Sequence, residues 1–247
     1  MSDKIIGRNP VIEAIKADRD IDKIFIAKGS EGSISKIIAL AREKGIVVSQ
    51  VERAKINEIA QSTAHQGVVA LALSHSYADV DDILKRAEEK GEAPFIIILD
   101  EVQDPQNLGS IIRTANGAGA HGIIIPKRRS AGLGSVAAKI SVGAAEYTPV
   151  ARVSSLAATI DELKKKNIWF YGTHQNAPSD YTEVDYSGGV GIVIGGEGKG
   201  VGRLITEKCD FLVSIPMKGE INSLNASVAA GVLMYEVVRQ RGVKGKQ

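Results

Sequence analysis

The chain has 247 residues, 44% hydrophobic and 24% charged, which is enough for one large or two modest globular domains. No apolar run reaches the ~20 residues of a membrane helix, and Met1-Ser2-Asp3-Lys4 does not open a secretory leader, so neither membrane nor export is expected. Cys209 is alone and His65, His75, His121 and His174 lack metal-ligand spacing, so a reducing, cytoplasmic setting and no metal are expected; the net charge of +2 does not by itself mark a nucleic-acid binder.

Along the first third, helix and strand patterns alternate. Asn9-Pro10 opens a helix through Ile15, with proline in the first turn. Residues 24–27 read as a strand, 34–44 as a helix stopped by Gly45, 46–48 as a strand, 55–60 as a short helix and 68–73 as a closing strand. This alternation predicts a small sandwich over a mixed or parallel sheet. From Tyr77 to Gly91 the chain is dense in charge, yet Val80, Ile83, Leu84 and Ala87 keep helical spacing, so the connector is expected to be a helix.

The remainder reads as strands at 94–102, 122–126, 147–151, 168–173, 190–194 and 211–215, and helices at 107–118, 135–144, 154–166, 201–207 and 225–240. Such alternation predicts a parallel sheet with helices on both faces. In the last helix Leu224, Val228, Val232, Tyr235 and Val238 recur at helical spacing and predict its apolar face, while Ala226, Ala229, Ala230 and Gly231 allow close packing.

Three segments carry chemistry. In the first, the apolar run 94–99 leads through Asp104-Pro105 to Asn107-Leu108-Gly109-Ser110 and Arg113-Thr114-Ala115. Asn107, Ser110, Arg113 and Asn116 stand three apart on one side of a helix, and an arginine among neutral polar groups suits a phosphate or carboxylate; a solvated surface arginine is the plain alternative. In the second, a short apolar strand runs into Gly195-Gly196-Glu197-Gly198-Lys199-Gly200, where glycines permit positive φ and close ligand approach. The spacing is neither a Walker loop nor a dinucleotide fingerprint. Glu197, an acid among glycines, needs a partner such as Arg113 or a substrate hydroxyl. In the third, Ile215 to Ser227 places Asn222, Ser223 and Asn225 at the mouth of a helix, as ligand groups or as an ordinary N-cap.

In combination, order and spacing, these segments resemble the three signature motifs of the SpoU class of RNA ribose methyltransferases in the SPOUT superfamily. Residues 7–14, with Arg8 and Asn9, and His65-Gln66-Gly67-Val68-Val69-Ala70 resemble the substrate-binding domain that many members carry. The resemblance implies an α/β chain in three parts: an L30e-like RNA-binding domain at 1–75, a linker at 76–92, and a parallel-sheet methyltransferase domain with a trefoil knot at 93–247. It implies S-adenosyl-L-methionine as cofactor, bound by Thr173, Gly195, Gly196, Ile215 and Leu224, and no metal. Arg113, Asn107, Glu197, Ser223 and Asn225 match the catalytic positions, with Arg113 orienting ribose and phosphate, Asn107 holding Arg113 or the ribose, Glu197 contacting the nucleotide or pinning Arg113, and Ser223 and Asn225 positioning the hydroxyl and the methionine end of the cofactor.

The two-part layout is most similar to enzymes that methylate a guanosine 2′-hydroxyl in 23S ribosomal RNA, with a transfer-RNA guanosine as alternative. RNA contacts are expected from Arg8, Asn9, Lys127 and Arg128, while Lys164-Lys165-Lys166 and the basic tail at Arg239, Arg241, Lys244 and Lys246 read as solvated charge. The resemblance also implies a homodimer paired through helices near the site. A ribosome-associated RNA-binding protein without catalysis and a nucleotide-dependent oxidoreductase are the competing readings; the missing fingerprint glycine argues against the latter.

Overall fold

The computed structural model describes residues 4–17, 19–72 and 76–244; Leu73, His75 and Lys246 lie outside the described residues. The chain divides into two compact units, Met1–Ser76 with Gly132–Val136, and Tyr77–Ala131 with Ala137–Gln247.

The first unit contains β1 (Lys4–Ile6), α1 (Arg8–Lys16), β2 (Ile21–Ala27), α2 (Ile34–Glu43), β3 (Val47–Val51), α3 (Arg53–Ala60) and β4 (Val68–Ala72). Its sheet runs β1-β4-β2-β3, with β2 and β3 parallel and β4 antiparallel to both neighbours, so of the mixed and parallel alternatives it is the mixed one. Strand alternation divides the side chains between the two faces. Ile24 and Ile26 pack with Val11, Ile15, Ile34 and Ile37 of α1 and α2. Ala27 and Val69 pack with Ile56 and Ala60 of α3 on the other face. Strand β1 went unanticipated because three residues carry no readable period.

The second unit contains α4 (Val80–Lys90), β5 (Phe95–Asp100), α5 (Pro105–Gly117), β6 (Gly122–Pro126), α6 (Ser135–Ile140), a 3-10 turn (Ala144–Glu146), β7 (Val150–Val153), α7 (Leu156–Lys164), β8 (Ile168–Thr173), β9 (Ser179–Asp180), β10 (Gly189–Gly195), α8 (Arg203–Lys208), β11 (Phe211–Ser214) and α9 (Ala226–Lys244). Seven strands in the order β7-β6-β5-β10-β8-β11-β9 pair in parallel throughout. The helix expected at 135–144 stops at Ile140, because Val142 and Gly143 take positive φ of 51° and 83°. The connector helix forms as α4: the Asp79 N–H donates to Asp82 Oδ2 at 2.8 Å, and Ile83 and Ala87 are buried. Ile83 joins Ile96, Ile98, Ile160, Phe170 and Ile205 in the core of this unit.

Helix α9 corrects one expectation. Val228, Tyr235 and Val238, read as its core-facing stripe, are exposed, and Leu224 is exposed ahead of the helix. The buried face is Ala226, Ala230, Leu233, Met234 and Val237. The helix is apolar on two sides, so periodicity alone could not choose the inward one.

Strand β10 enters between β5 and β8, with Gly195 in register with Asp100 and Val193 with Gly172. The carboxyl ends of β5, β10, β8 and β11 are therefore neighbours at the point where strand order reverses. In open parallel sheets that crevice is where ligands bind.

Candidate functional site

Helix α5 begins with Asp104 as N-cap, its Oδ1 accepting the Gln106 N–H at 2.9 Å, and Pro105 in the first turn. The cap fixes the direction in which Asn107 leaves the helix, and Asn107 is 5% exposed. Two residues on, a Cβ at Gly109 would lie 2.7 Å from the Ala137 carbonyl oxygen, so only glycine lets that backbone approach α5.

After β10 the chain folds back on itself. A bridge joins Gly196 and Gly200, and the Gly200 N–H donates to the Gly196 carbonyl at 3.0 Å. A Cβ on Gly195 would lie 2.0 Å from the Gly200 carbonyl carbon, and one on Gly196 would lie 2.4 Å from the Glu101 carbonyl oxygen. Asp100 fastens both ends of this loop: its carbonyl accepts the Gly196 N–H and its Oδ2 accepts the Gly202 N–H, each at 2.8 Å. Burial pushes the Asp100 carboxyl above its ordinary value, against the opposing pull of the Gly202 N–H.

The third segment closes the arrangement through Asn225. Its Oδ1 accepts the N–H groups of Ser227 and Val228, at 2.9 and 3.4 Å, and the Ser227 hydroxyl at 2.6 Å. Its Nδ2 donates to Asn107 Oδ1 and to Glu197 Oε1, both at 2.9 Å. Asn107 Nδ2 donates to the same Glu197 oxygen at 3.0 Å. Backbone N–H groups can only donate, so the amide orientation of Asn225 is fixed. Asn225 is therefore a helix cap and a junction together: its oxygen starts α9 and its nitrogen joins the three segments. Among the described residues, Glu197 Oε2 has no hydrogen-bond partner and stays open to accept one.

Beside this node is a cleft of about 730 Å³, lined by Thr173, Gly196, Ser223, Ile215 and Leu224 among others. Four of the five expected cofactor positions line it; Gly195 is buried and acts by letting the loop fold back. Sequence reasoning missed His174, Gln175 and Asn176, which follow β8, and Met217, Lys199 and Val201, all of which line the cleft. The loop 174–176 shows no period or motif; the only available signal was its place after a buried strand. The volume falls within the ~300–1,000 Å³ of small-molecule sites. Apolar Val213, Ile215, Met217 and Leu224 offer faces for a flat ring, and Thr173, Ser214, Asn222 and Ser223 offer hydrogen bonds, a lining that fits a nucleoside carrying a polar tail.

Arg113 stands apart. It is exposed, does not line the cleft, and among the described residues has no hydrogen-bond or ion-pair partner. The expected pinning of Arg113 by Glu197 or Asn107 is not found, because both are engaged with Asn225; six residues along α5 carry Arg113 roughly 9 Å from Asn107. Lys127 is half-buried and Arg128 exposed, while Arg129 pairs with Glu101 at 2.7 Å. In the first unit, the Arg8 guanidinium donates to the carbonyls of Gln66 at 2.9 Å and Glu31 at 2.8 Å, so it ties loops together; Asn9 is exposed. Two histidines, His65 and His121, are buried packing residues. His65 Nδ1 accepts the Gly67 N–H, and His121 Nδ1 accepts the Phe95 N–H, both at 2.9 Å. Among the described residues, no cluster of three or more His, Cys, Asp or Glu could hold a metal, and no helix is long and apolar enough to cross a membrane.

Residues 94–235 match the model of the SpoU rRNA methylase family, and residues 4–78 match that of the RNA 2′-O ribose methyltransferase substrate-binding domain. A Bacillus subtilis (strain 168) protein assigned by name to the TrmH family of tRNA/rRNA methyltransferases, YacO, is 51% identical over 99% of this chain and 98% of its own. Among solved structures, the SpoU methyltransferase AviRb of Streptomyces viridochromogenes, in complex with the cofactor AdoMet, aligns with TM-score 0.63 and 26% identity over 97% of this chain and 90% of its own. An AdoMet-bound rRNA methyltransferase from Sinorhizobium meliloti aligns with TM-score 0.58 and 27% identity over 96% and 86%.

Proposed function

From the premise that this chain belongs to the SpoU methylase family, we propose that it methylates the ribose 2′-hydroxyl of a guanosine in 23S ribosomal RNA. The chain is an S-adenosylmethionine-dependent RNA 2′-O-methyltransferase of the TrmH/SpoU family. The observation that carries the reading is the meeting of Asn107, Glu197 and Asn225 beside the cleft.

When bound, the cofactor supplies an electrophilic sulfonium methyl; transfer then needs only an aligned oxygen and a place for its proton. Ile215, Leu224 and Thr173 hold the nucleoside, and Ser223 orients the polar end. Asn107 and Asn225 hold Glu197 by Oε1, leaving Oε2 to receive the ribose hydroxyl or the nucleotide. Arg113 takes the neighbouring phosphate as a permanently charged fork, because a guanidinium does not serve as a base.

Ribosomal RNA is favoured over transfer RNA because both units, across 96% of the chain, follow the fold of an rRNA methyltransferase. In this reading residues 1–75 hold RNA in an L30e-like domain through Asn9 and neighbouring backbone, Arg8 shapes that surface, 76–92 connect, and 93–247 form a trefoil-knotted catalytic domain that adds Lys127 and Arg128. The protein works in the cytoplasm as a homodimer. The exposed Val228, Tyr235 and Val238 of α9 support pairing, and pairing gives the unpartnered Arg113 a site to complete in the other subunit.

The test is labelled methyl transfer from S-adenosylmethionine to 23S rRNA and to tRNA. Alkaline cleavage of RNA needs a free 2′-hydroxyl, so the reading predicts label in an alkali-resistant dinucleotide that begins with guanosine. Label only in tRNA supports the transfer-RNA alternative. Label released with mononucleotides contradicts ribose methylation, and no label at all supports the non-catalytic reading.

A further inference from the structure

Glu197 and Lys199 sit two residues apart in one turn, yet they serve different surroundings. Glu197 is engaged with the amides of Asn107 and Asn225 and is not part of the cleft lining. Lys199 lines the cleft, is exposed, and among the described residues has no hydrogen-bond or ion-pair partner. Gly198 and Gly200, with φ of 80° and 66°, flank it and leave nothing within 4 Å of where a Cβ would stand. The lysine stem is therefore free to reach along the cleft wall. No Asp or Glu lines this cleft among the described residues, and Lys199 is its one fixed cation.

Resting on the methyltransferase reading above, we infer that Lys199 is the cofactor-positioning residue that holds the carboxylate at the amino-acid end of the methyl donor. The donor carries an adenine, which apolar side chains and backbone groups can hold, and a carboxylate, which needs a cation or several donors. In a cleft without lining acids the carboxylate meets no repulsion, and an ammonium with three donors satisfies it without a fixed geometry. The contact lies at an open rim, so it is modest and sensitive to salt.

The test is calorimetric titration of the purified full-length chain with S-adenosylmethionine and with its decarboxylated analogue. Lys199→Gln is expected to weaken S-adenosylmethionine binding about tenfold at low salt, as for loss of a charged hydrogen bond. The difference shrinks as salt is raised, and Lys199→Arg restores most of the affinity. The decarboxylated donor is expected to bind Lys199→Gln at least as tightly as the wild type. Equal S-adenosylmethionine affinity in Lys199→Gln and wild type, an equal loss for both donors, or a loss confined to RNA affinity overturns the inference. A wild type that binds neither donor overturns the methyltransferase reading itself, and this inference with it.

Discussion

Asn225 Nδ2 lies 2.9 Å from Asn107 Oδ1, joining positions 118 residues apart in the chain. The same nitrogen meets Glu197 Oε1 at 2.9 Å, while the Asn225 oxygen caps α9. One amide thus starts the last helix and ties it to the first of the three segments and to the glycine loop. Replacing Asn225 by Asp is a selective probe. A carboxylate there still caps α9, as Asp does at an N-cap, but it sets a second anion against Glu197 and Asn107 Oδ1. Asn225→Asp is expected to keep the far-UV spectrum and lose methyl transfer by about 100-fold, as when one preorganised polar group is removed from a catalytic site. Near-normal turnover in this variant would release Asn225 from the site.

Arg113 has no partner among the described residues, so its removal leaves no orphaned group behind. Arg113→Ala is expected to preserve folding and S-adenosylmethionine affinity while lowering kcat/KM for RNA by about 100-fold, the scale of a lost positioning contact. Weakened cofactor binding in Arg113→Ala would place the guanidinium in the cleft instead.

The outward face of α9 supplies the third prediction. Tyr235 is 53% exposed and Val228 51%. Carboxylates at both positions, in Val228→Asp/Tyr235→Glu, are expected to turn a sedimenting dimer into a monomer, because each desolvated charge at an interface core is unpaired. A wild type that sediments as a monomer at every concentration would remove the dimer.

A fourth prediction concerns pH. Burial lowers the His121 imidazole from its ordinary 6.5, against the raising influence of Glu92, which bonds Nε2 at 3.0 Å. Nδ1 accepts the Phe95 N–H at 2.9 Å and cannot do so once protonated. A depressed folded value means the stabilisation is complete above 6.5 and is lost as pH falls through the folded value. An NMR titration should show His121 ionising below 6.5. Ionisation above that value would mean that Glu92 dominates.

Much of this architecture was legible because the residues that build it repeat. The buried β-strand Phe95–Asp100 is apolar without a break through Leu99, and α4 kept its spacing through dense charge. The shortest elements, Lys4–Ile6 and Ser179–Asp180, hold too few residues for a period to emerge. In α9 the period was present twice, so spacing alone did not separate the outward Val228, Tyr235 and Val238 from the inward Ala226, Ala230, Leu233, Met234 and Val237. Within the site, Asn107, Glu197 and Asn225 were found because three motifs had to meet. Their mutual bonds, which exclude Arg113, depend on rotamers and on the path of the chain after Gly195, and local sequence encodes neither. Ile215 and Leu224, singled out by the third motif, line the cleft, but His174 to Asn176 reach it only through the order in which strands enter the sheet.

The measurement that bears most directly on the convergent site is a double-substitution cycle on kcat/KM for methyl transfer, pairing Asn107→Ala with Asn225→Ala. Groups acting as one unit lose function together, so each single change is expected to cost about 100-fold and the pair scarcely more. Fully additive losses, with the pair slower by the product of the two, would show that the asparagines act independently and would contradict a single shared site.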